Sequence, residues 1–328
     1  MGLTVAVTGP TGELGISVVE ALEREAAVDA VIGMARRPFD PRSRGWRKTV
    51  YRSGDVLDRA AVDALVEAAD VVVHLAFVVL GSHADSARIN VAGCRTVFEA
   101  TVAAKRPQRL VYTSSVAAYG YYPDTPSPIT EAVPARGSRE HYYSAQKAEC
   151  EQLLAEVTGS SPLGVYVLRP CIVAGPKATQ IVRNLPWRRS PAMLDRAWRA
   201  LPGHRLLRPV LPDPGLSLQL VHHDDVANAV LTAALGAGPP GAYNLAGPGT
   251  VTSADYARAV GALPVPVPRG AVALGSRLLA AAPFVPAWAE WLHALRTPMI
   301  MDTTKARNLL GWTPAYTAAQ TLAATVAP

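Results

Sequence analysis

Apolar residues in the first half of the chain follow two alternating patterns. Short β-branched runs are separated by longer stretches in which apolar residues return every three or four positions. The runs predict strands over residues 3–8, 30–35, 49–51, 70–75, 109–113 and 164–168. The stretches between them predict helices over 13–27, 59–68, 86–104 and 142–157. Val71, Val72 and Val73 leave no polar position in the fourth run, as in a strand covered on both faces. Strand and helix in strict alternation imply a parallel sheet with right-handed crossovers and helices on both sides.

The second half is less regular. Residues 176–214 are rich in Pro, Arg and Trp, with one candidate helix near 192–200. A helix is predicted over 223–235, opening on Asp224 and Asp225, whose charges suit a helix N-terminus. A strand over 242–246 and a helix over 252–260 follow, the helix capped by Thr252 or Ser253. Pro264, Pro266 and Pro268 predict an extended connector. The expected division is residues 1–170 as one sheet domain and 171–328 as a smaller region that shares its core, with about 215–250 returning to the sheet.

Composition narrows the class. The chain has 328 residues, 49% hydrophobic and 18% charged, which excludes a disordered chain. Cys94, Cys150 and Cys171 cannot build a disulfide framework and stand at no metal-ligand spacing, so a reducing compartment and no metal are expected. No run approaches the ~20 apolar residues of a membrane span, and the N-terminus enters a strand without a signal-type segment. A cytoplasmic protein with no membrane partner is the expectation. The net charge of +6 raises the question of nucleic acid. However, the basic side chains other than Lys48, Lys105, Lys147, Lys177 and Lys305 are all arginine, a general compositional bias, and no recognition motif accompanies them. No nucleic-acid partner is expected.

The segment Thr8-Gly9-Pro10-Thr11-Gly12-Glu13-Leu14-Gly15 joins the first strand to the first helix. Gly9 suits a tight turn, Gly12 the close approach of a pyrophosphate to backbone, and Gly15 tight packing of helix on strand. The helix N-terminus then faces the negative charge. This is the arrangement of a dinucleotide site, with Gly9, Thr11, Gly12, Glu13, Leu14 and Gly15 as its candidates. The second strand ends in Gly33-Met34-Ala35-Arg36-Arg37, with no acid to bond a ribose 2′-hydroxyl. The forks of Arg36 and Arg37 suit a 2′-phosphate, which favours NADP(H) over NAD(H). Asp55, before Val56, is placed to accept from an adenine amino group, while Asp58 better suits the cap of the next helix.

Tyr143 and Lys147 stand four apart in a helical stretch, on one face and one turn apart. A free tyrosine titrates near ~10, and a neighbouring ammonium lowers that value, giving a usable proton donor and acceptor. The fifth strand closes on Thr113-Ser114-Ser115, at the edge where ligands bind in such sheets. Ser115 there suits a substrate oxygen held against Tyr143.

Together these residues resemble the extended short-chain dehydrogenase/reductase superfamily, the group of NAD(P)-dependent epimerases, dehydratases and reductases. The resemblance also takes in Gly54-Asp55-Val56, the run from Asp70 through His74 to Ala76, Asn90-Val-Ala-Gly93 and Tyr112 through Gly120. It continues through Leu168-Arg-Pro170 to Pro176, Val221-His-His-Asp-Asp225 and Lys305 through Trp312, and so spans nearly the whole chain. It implies an α/β fold: a Rossmann-type doubly wound parallel sheet with a smaller, irregular C-terminal substrate-binding region. It implies Ser115, Tyr143 and Lys147 as the catalytic set, with Ser114 the alternative serine. It implies cofactor contacts from Leu75, Ala76, Thr113, Tyr143, Lys147, Pro170 and Ile172, and a structural His74. Phe77, Ser115 and Tyr143 are the candidate substrate contacts. A homodimer built on the helices at 86–104 and 142–157 is implied as well.

Two departures bear on the reaction. The superfamily's 4,6-dehydratases carry an Asp-Glu pair where this chain has Val116 and Ala117. Many nucleotide-sugar enzymes have an arginine where this chain has Leu218. The expectation is therefore an NADP(H)-dependent ketoreductase or dehydrogenase acting on a small molecule, with a nucleotide-sugar epimerase as the alternative. Seven arginines between 183 and 208 fit either an acidic substrate or a solvated surface, and Trp288 and Trp291 sit in an apolar stretch.

Overall fold

The computed structural model describes residues 2–79, 86–183, 185, 209–268, 270 and 297–327. In chain order the first half runs β1 (Leu3–Thr8), α1 (Glu13–Arg24), β2 (Val28–Ala35), β3 (Thr49–Ser53), α2 (Arg59–Val66), β4 (Val71–His74), α3 (Gly93–Ala103), β5 (Arg109–Thr113), α4 (Tyr142–Thr158) and β6 (Gly164–Pro170). The second half begins with β7 (Ile172–Ala174), the single turn α5 (Gln180–Arg183), β8 (Val210–Asp213), β9 (Ser217–Leu218), β10 (Leu220–His222) and α6 (His223–Ala234). It ends with β11 (Gly241–Leu245), β12 (Val251–Thr252), α7 (Ser253–Ala259), β13 (Leu263–Pro266), α8 (Thr304–Leu310) and α9 (Ala318–Val326).

Seven strands make one parallel sheet in the order β11-β6-β5-β4-β1-β2-β3. The order reverses between β1 and β4, and that is where such sheets open a crevice at their C-terminal edge. The period of two along each strand divides the core into two layers. Val5 and Val7 of β1, Val71 and Val73 of β4, and Val111 of β5 face the layer holding α1 and α6. Ala6, Val72, Leu110 and Tyr112 face the layer holding α2, α3 and α4. Thus α6 and β11, from the second half of the chain, complete the first layer and the edge of the sheet.

Three elements depart from the sequence expectation. β6 runs on through Arg169 and Pro170, which pair in register with Asn244 and Leu245 of β11. Pro170 ends the strand, so its missing N–H costs no interior ladder bond. The proline connector is instead the strand β13, parallel to β8. Pro264 and Pro266 alternate with Leu263, which donates to the Pro209 carbonyl at 2.8 Å, and Val267 donates to Asp213 at 2.9 Å. The prolines therefore occupy the positions whose N–H groups the pairing does not use. The helix leading into α3 widens to a π turn over Arg88–Ala92, which turns Asn90 fully inward.

Among the described residues no helix is long and apolar enough to cross a membrane. The helices expected at a dimer face turn Arg95, on α3, and Glu149, Gln152 and Glu156, on α4, to the exterior. The helix expected near 192–200, the arginines from 188 to 208, Trp288 and Trp291 lie outside the described residues.

Candidate active site and cofactor cleft

The three glycines after β1 differ in what demands them. Gly9 has φ +74°, and a Cβ there would stand 3.0 Å from the Ala76 backbone. At Gly15 a Cβ would fall 2.0 Å from the Gly9 carbonyl oxygen, so only glycine lets α1 pack against the turn. At Gly12 the sole neighbour is the Gly9 oxygen at 3.4 Å, an ordinary contact, and the residue is exposed. Among the described residues nothing requires glycine at 12. α1 also starts on Gly12 with no side-chain cap for its first amides. An open backbone and uncapped amides fit a diphosphate approaching from outside.

Thr8 and His74 tie the two sides of the switch point together. The Thr8 hydroxyl donates to His74 Nδ1 at 2.7 Å and accepts from the amides of Leu75 and Ala76 at 3.3 and 3.4 Å. That leaves His74 Nε2–H to donate to Cys94 Sγ at 3.3 Å. Burial pushes the His74 imidazole down to about 3, with the Lys147 charge adding to the effect, so the ring is neutral. Its role is structural.

A cleft of about 190 Å³ opens at this edge. Gly9, Gly12, Arg36, Asp55, Val56, Leu75 and Ala76 line it, as do Phe77, Met34, Val78 and Ile89. Asp55 accepts from the Leu57 amide at 3.1 Å, and Asp58 caps α2. Arg37 stands beside the cleft rather than on its wall, and its carbonyl accepts from the Tyr51 hydroxyl. Glu13 pairs with Arg183 at 3.6 Å, Leu14 packs on the first core layer, and Thr11 is part-buried beside Gly12. Pro170 and Ile172 stand in the sheet pairings with Leu245 and Leu220.

α4 brings its residues to the end of β5 at intervals of four. Tyr143 shares a side-chain hydrogen bond with Ser115, whose Oγ accepts from the Ala117 amide at 3.2 Å. Lys147 Nζ donates to the Thr113 carbonyl at 2.8 Å and reaches the Tyr112 hydroxyl at 3.5 Å. Glu151 accepts from Ser114 Oγ, which commits Ser114 to that carboxylate and leaves Ser115 as the serine facing Tyr143. Thr113 Oγ1 is buried with no hydrogen-bond partner among the described residues, an orphaned donor suited to an incoming polar group.

One electrostatic expectation is corrected. The Tyr143 phenol is not lowered overall. Burial raises it, and the hydrogen bond with Ser115 is what acts against the rise. The reason is geometric: the ammonium is drawn to Thr113 and lies 6.0 Å from the Tyr143 ring centre, with its nearest ring that of Phe77 at 3.6 Å. Burial in turn pushes Lys147 down to about 8.

The sequence matches the NAD dependent epimerase/dehydratase family over residues 5–246. The chain belongs to that family. A Mycobacterium bovis protein described as uncharacterised is 26% identical over 321 residues, covering 95% of this chain and 80% of its own. UDP-glucose 4-epimerase from Thermotoga maritima, solved with UDP-glucose, has a TM-score of 0.71 at 21% identity, covering 98% of this chain and 97% of its own. A short-chain dehydrogenase/reductase superfamily protein from Agrobacterium tumefaciens, solved with bound NAD, has a TM-score of 0.70 at 20% identity, with 98% and 96% covered. These likenesses establish the extended short-chain dehydrogenase/reductase fold.

Within this family member, some contributors lay beyond the sequence reasoning. Asn90 accepts from the Val78 amide at 2.7 Å, donates to the Val78 carbonyl at 2.9 Å and donates to Gln146 Oε1 at 2.8 Å. It thereby holds the cleft wall at Phe77 and Val78 against α4. The Asn-x-x-Gly segment marked it, but its task depends on a π turn that no periodicity reveals. Phe77, expected against substrate, lies on the cleft wall and covers Lys147.

Proposed function

We propose that the protein is an NADP(H)-dependent oxidoreductase that moves hydride between the cofactor and a carbonyl or secondary alcohol of a small molecule. The observation that carries this is the Ser115–Tyr143 pair beside Lys147, with Tyr143 and Lys147 both packed on Phe77, whose ring belongs to the wall of a cleft that also carries the glycine turn.

A bound nicotinamide supplies the hydride chemistry. Gly9, Gly12 and the amides of α1 would hold the diphosphate, and Asp55 the adenine. Lys147 would donate to the nicotinamide ribose, and Thr113 Oγ1 would gain the partner it lacks. Ser115 holds the substrate oxygen, and Tyr143 gives its proton to that oxygen in reduction or takes it in oxidation. The raised phenol fits a proton donor, neutral until the reaction calls on it. Arg36 on the cleft wall at the end of β2, with no carboxylate beside it in sequence, supports a 2′-phosphate.

Two features bear on competing reactions. Val116 and Ala117 are buried and apolar, which leaves no acid–base pair after Ser115 for elimination of water. Leu218 packs among Leu220, Val251 and Leu322, which supplies apolar surface where a sugar-nucleotide enzyme would use a guanidinium. The epimerase alternative rests on likeness to solved epimerases. The deciding experiment identifies the nucleotide that co-purifies and follows the nicotinamide absorbance with a panel of ketones and alcohols. Net NADPH oxidation by a ketone supports the proposal; tightly held NAD with no net turnover and interconversion of a sugar nucleotide overturns it.

A further inference from the structure

The Lys147 ammonium has three protons to place. One goes to the Thr113 carbonyl at 2.8 Å, and a second contact, with the Tyr112 hydroxyl, is long at 3.5 Å. The remaining face of the ammonium meets the Phe77 ring, whose centre is 3.6 Å from Nζ. That is well inside the ~6 Å reach of such contacts, and this one is withdrawn from water, since Lys147 is only 3% exposed. The same ring stands edge-on to Tyr143, with centres 5.6 Å apart and planes at 87°. Phe77 thus touches both reactive side chains of α4 while forming part of the cleft wall. Its backbone is not free to drift, because Asn90 clamps Val78 through both amide and carbonyl and is itself wholly buried.

The geometry points to Phe77 as the positioning residue for Lys147: its π face holds the ammonium in place before cofactor arrives. An aliphatic wall of the same size would fill the space but would leave the ammonium with one good partner and free to turn. Preorganisation of this kind appears as affinity, because the side chain need not be ordered on binding.

This inference rests on the dinucleotide reading, and the test separates the two. Affinities for NADPH and for 2′,5′-ADP, which occupies only the adenosine half, are measured on wild type, Phe77→Leu, Phe77→Tyr, Lys147→Met and the Phe77→Leu/Lys147→Met pair. Loss of a desolvated cation–π contact weakens NADPH by about 3- to 10-fold in Phe77→Leu. Phe77→Tyr retains wild-type affinity, 2′,5′-ADP is unaffected, and Phe77→Leu has no further effect once Lys147 is methionine. Should Phe77→Leu fail to fold, as judged by its melting transition, Phe77→Met carries the same expectation. Unchanged or tighter NADPH binding in the aliphatic variants overturns the proposal. So does an equal loss in the Lys147→Met background, which would make Phe77 a plain wall, or an equal loss with 2′,5′-ADP. Wild type that binds neither ligand overturns the dinucleotide reading, and this proposal with it.

Discussion

Glu151 and Arg169 form an ion pair almost wholly withdrawn from water, with side chains 9% and 8% exposed. Glu151 also accepts from Ser114, next to Ser115. Arg169 donates to the Tyr119 hydroxyl at 2.9 Å, which in turn donates to Asn244 Oδ1 at 2.7 Å. Tyr143, Lys147 and Glu151 therefore fasten Ser115, Thr113 and Ser114 in turn, one helical turn apart. Removing one member leaves the other charge buried and unpaired. Glu151→Ala should cost about 3–5 kcal/mol in urea unfolding, and Glu151→Leu with Arg169→Met should recover most of that loss. A single-variant cost below about 1 kcal/mol, typical of exposed pairs, would remove the pair from the account of this corner.

Gly12 and Gly15 should fail in different ways. Gly12→Ala adds a methyl only where a ligand would sit, so it should leave the melting temperature near wild type while weakening NADPH by about tenfold or more. Gly15→Ala drives a methyl to within 2.0 Å of the Gly9 oxygen and should cost about 2 kcal/mol or more of stability. Paired melting and cofactor titrations check both. Equal behaviour of the two variants would mean that the turn is merely structural.

Acid stability should carry the mark of buried neutral imidazoles. His74 is held down to about 3 and His222 to about 4, both mainly by burial. Between these values and the usual 6.5 the unfolded chain binds protons that the folded chain does not. Stability therefore falls as pH drops below about 6.5, by up to about 1.4 kcal/mol per pH unit for each ring. His74→Gln should make that acid limb shallower by one proton. Urea unfolding at a series of pH values measures the slope, and an unchanged slope would mean that His74 is protonated in the folded protein.

The 2′-phosphate reading makes a ratio prediction. Arg36→Ala should weaken NADPH by about 10- to 100-fold, the range of a charge-assisted contact, and leave NADH nearly unchanged. Competitive titration of both cofactors gives the ratio. Equal losses would remove Arg36 from cofactor selection.

Most of the sheet was legible in the sequence, because Val5, Val7, Val71, Val73 and Val111 announce their faces through a period of two. The glycine turn was legible because Gly9 and Gly15 answer to contacts within one short segment. What escaped depends on partners far apart in sequence. β13 needs β8 before a proline run becomes a strand, and Asn90 needs a π turn to reach Val78. The Tyr143–Lys147 spacing predicted a shared face correctly but not which groups the ammonium would choose. Thr113 and Phe77, supplied by β5 and the segment after β4, decided that.

The central claim is that Tyr143 is the proton donor, packed against Phe77 of a cofactor cleft it does not itself line. Tyr143→Phe removes one hydroxyl and retains the ring against Phe77. Measured side by side on this variant, NADPH affinity should stay near wild type while kcat on a ketone turned over by wild type falls by well over tenfold, as for loss of a general acid. A variant that keeps more than about a tenth of wild-type kcat, against the 10²–10⁴-fold such a group contributes, would contradict the account.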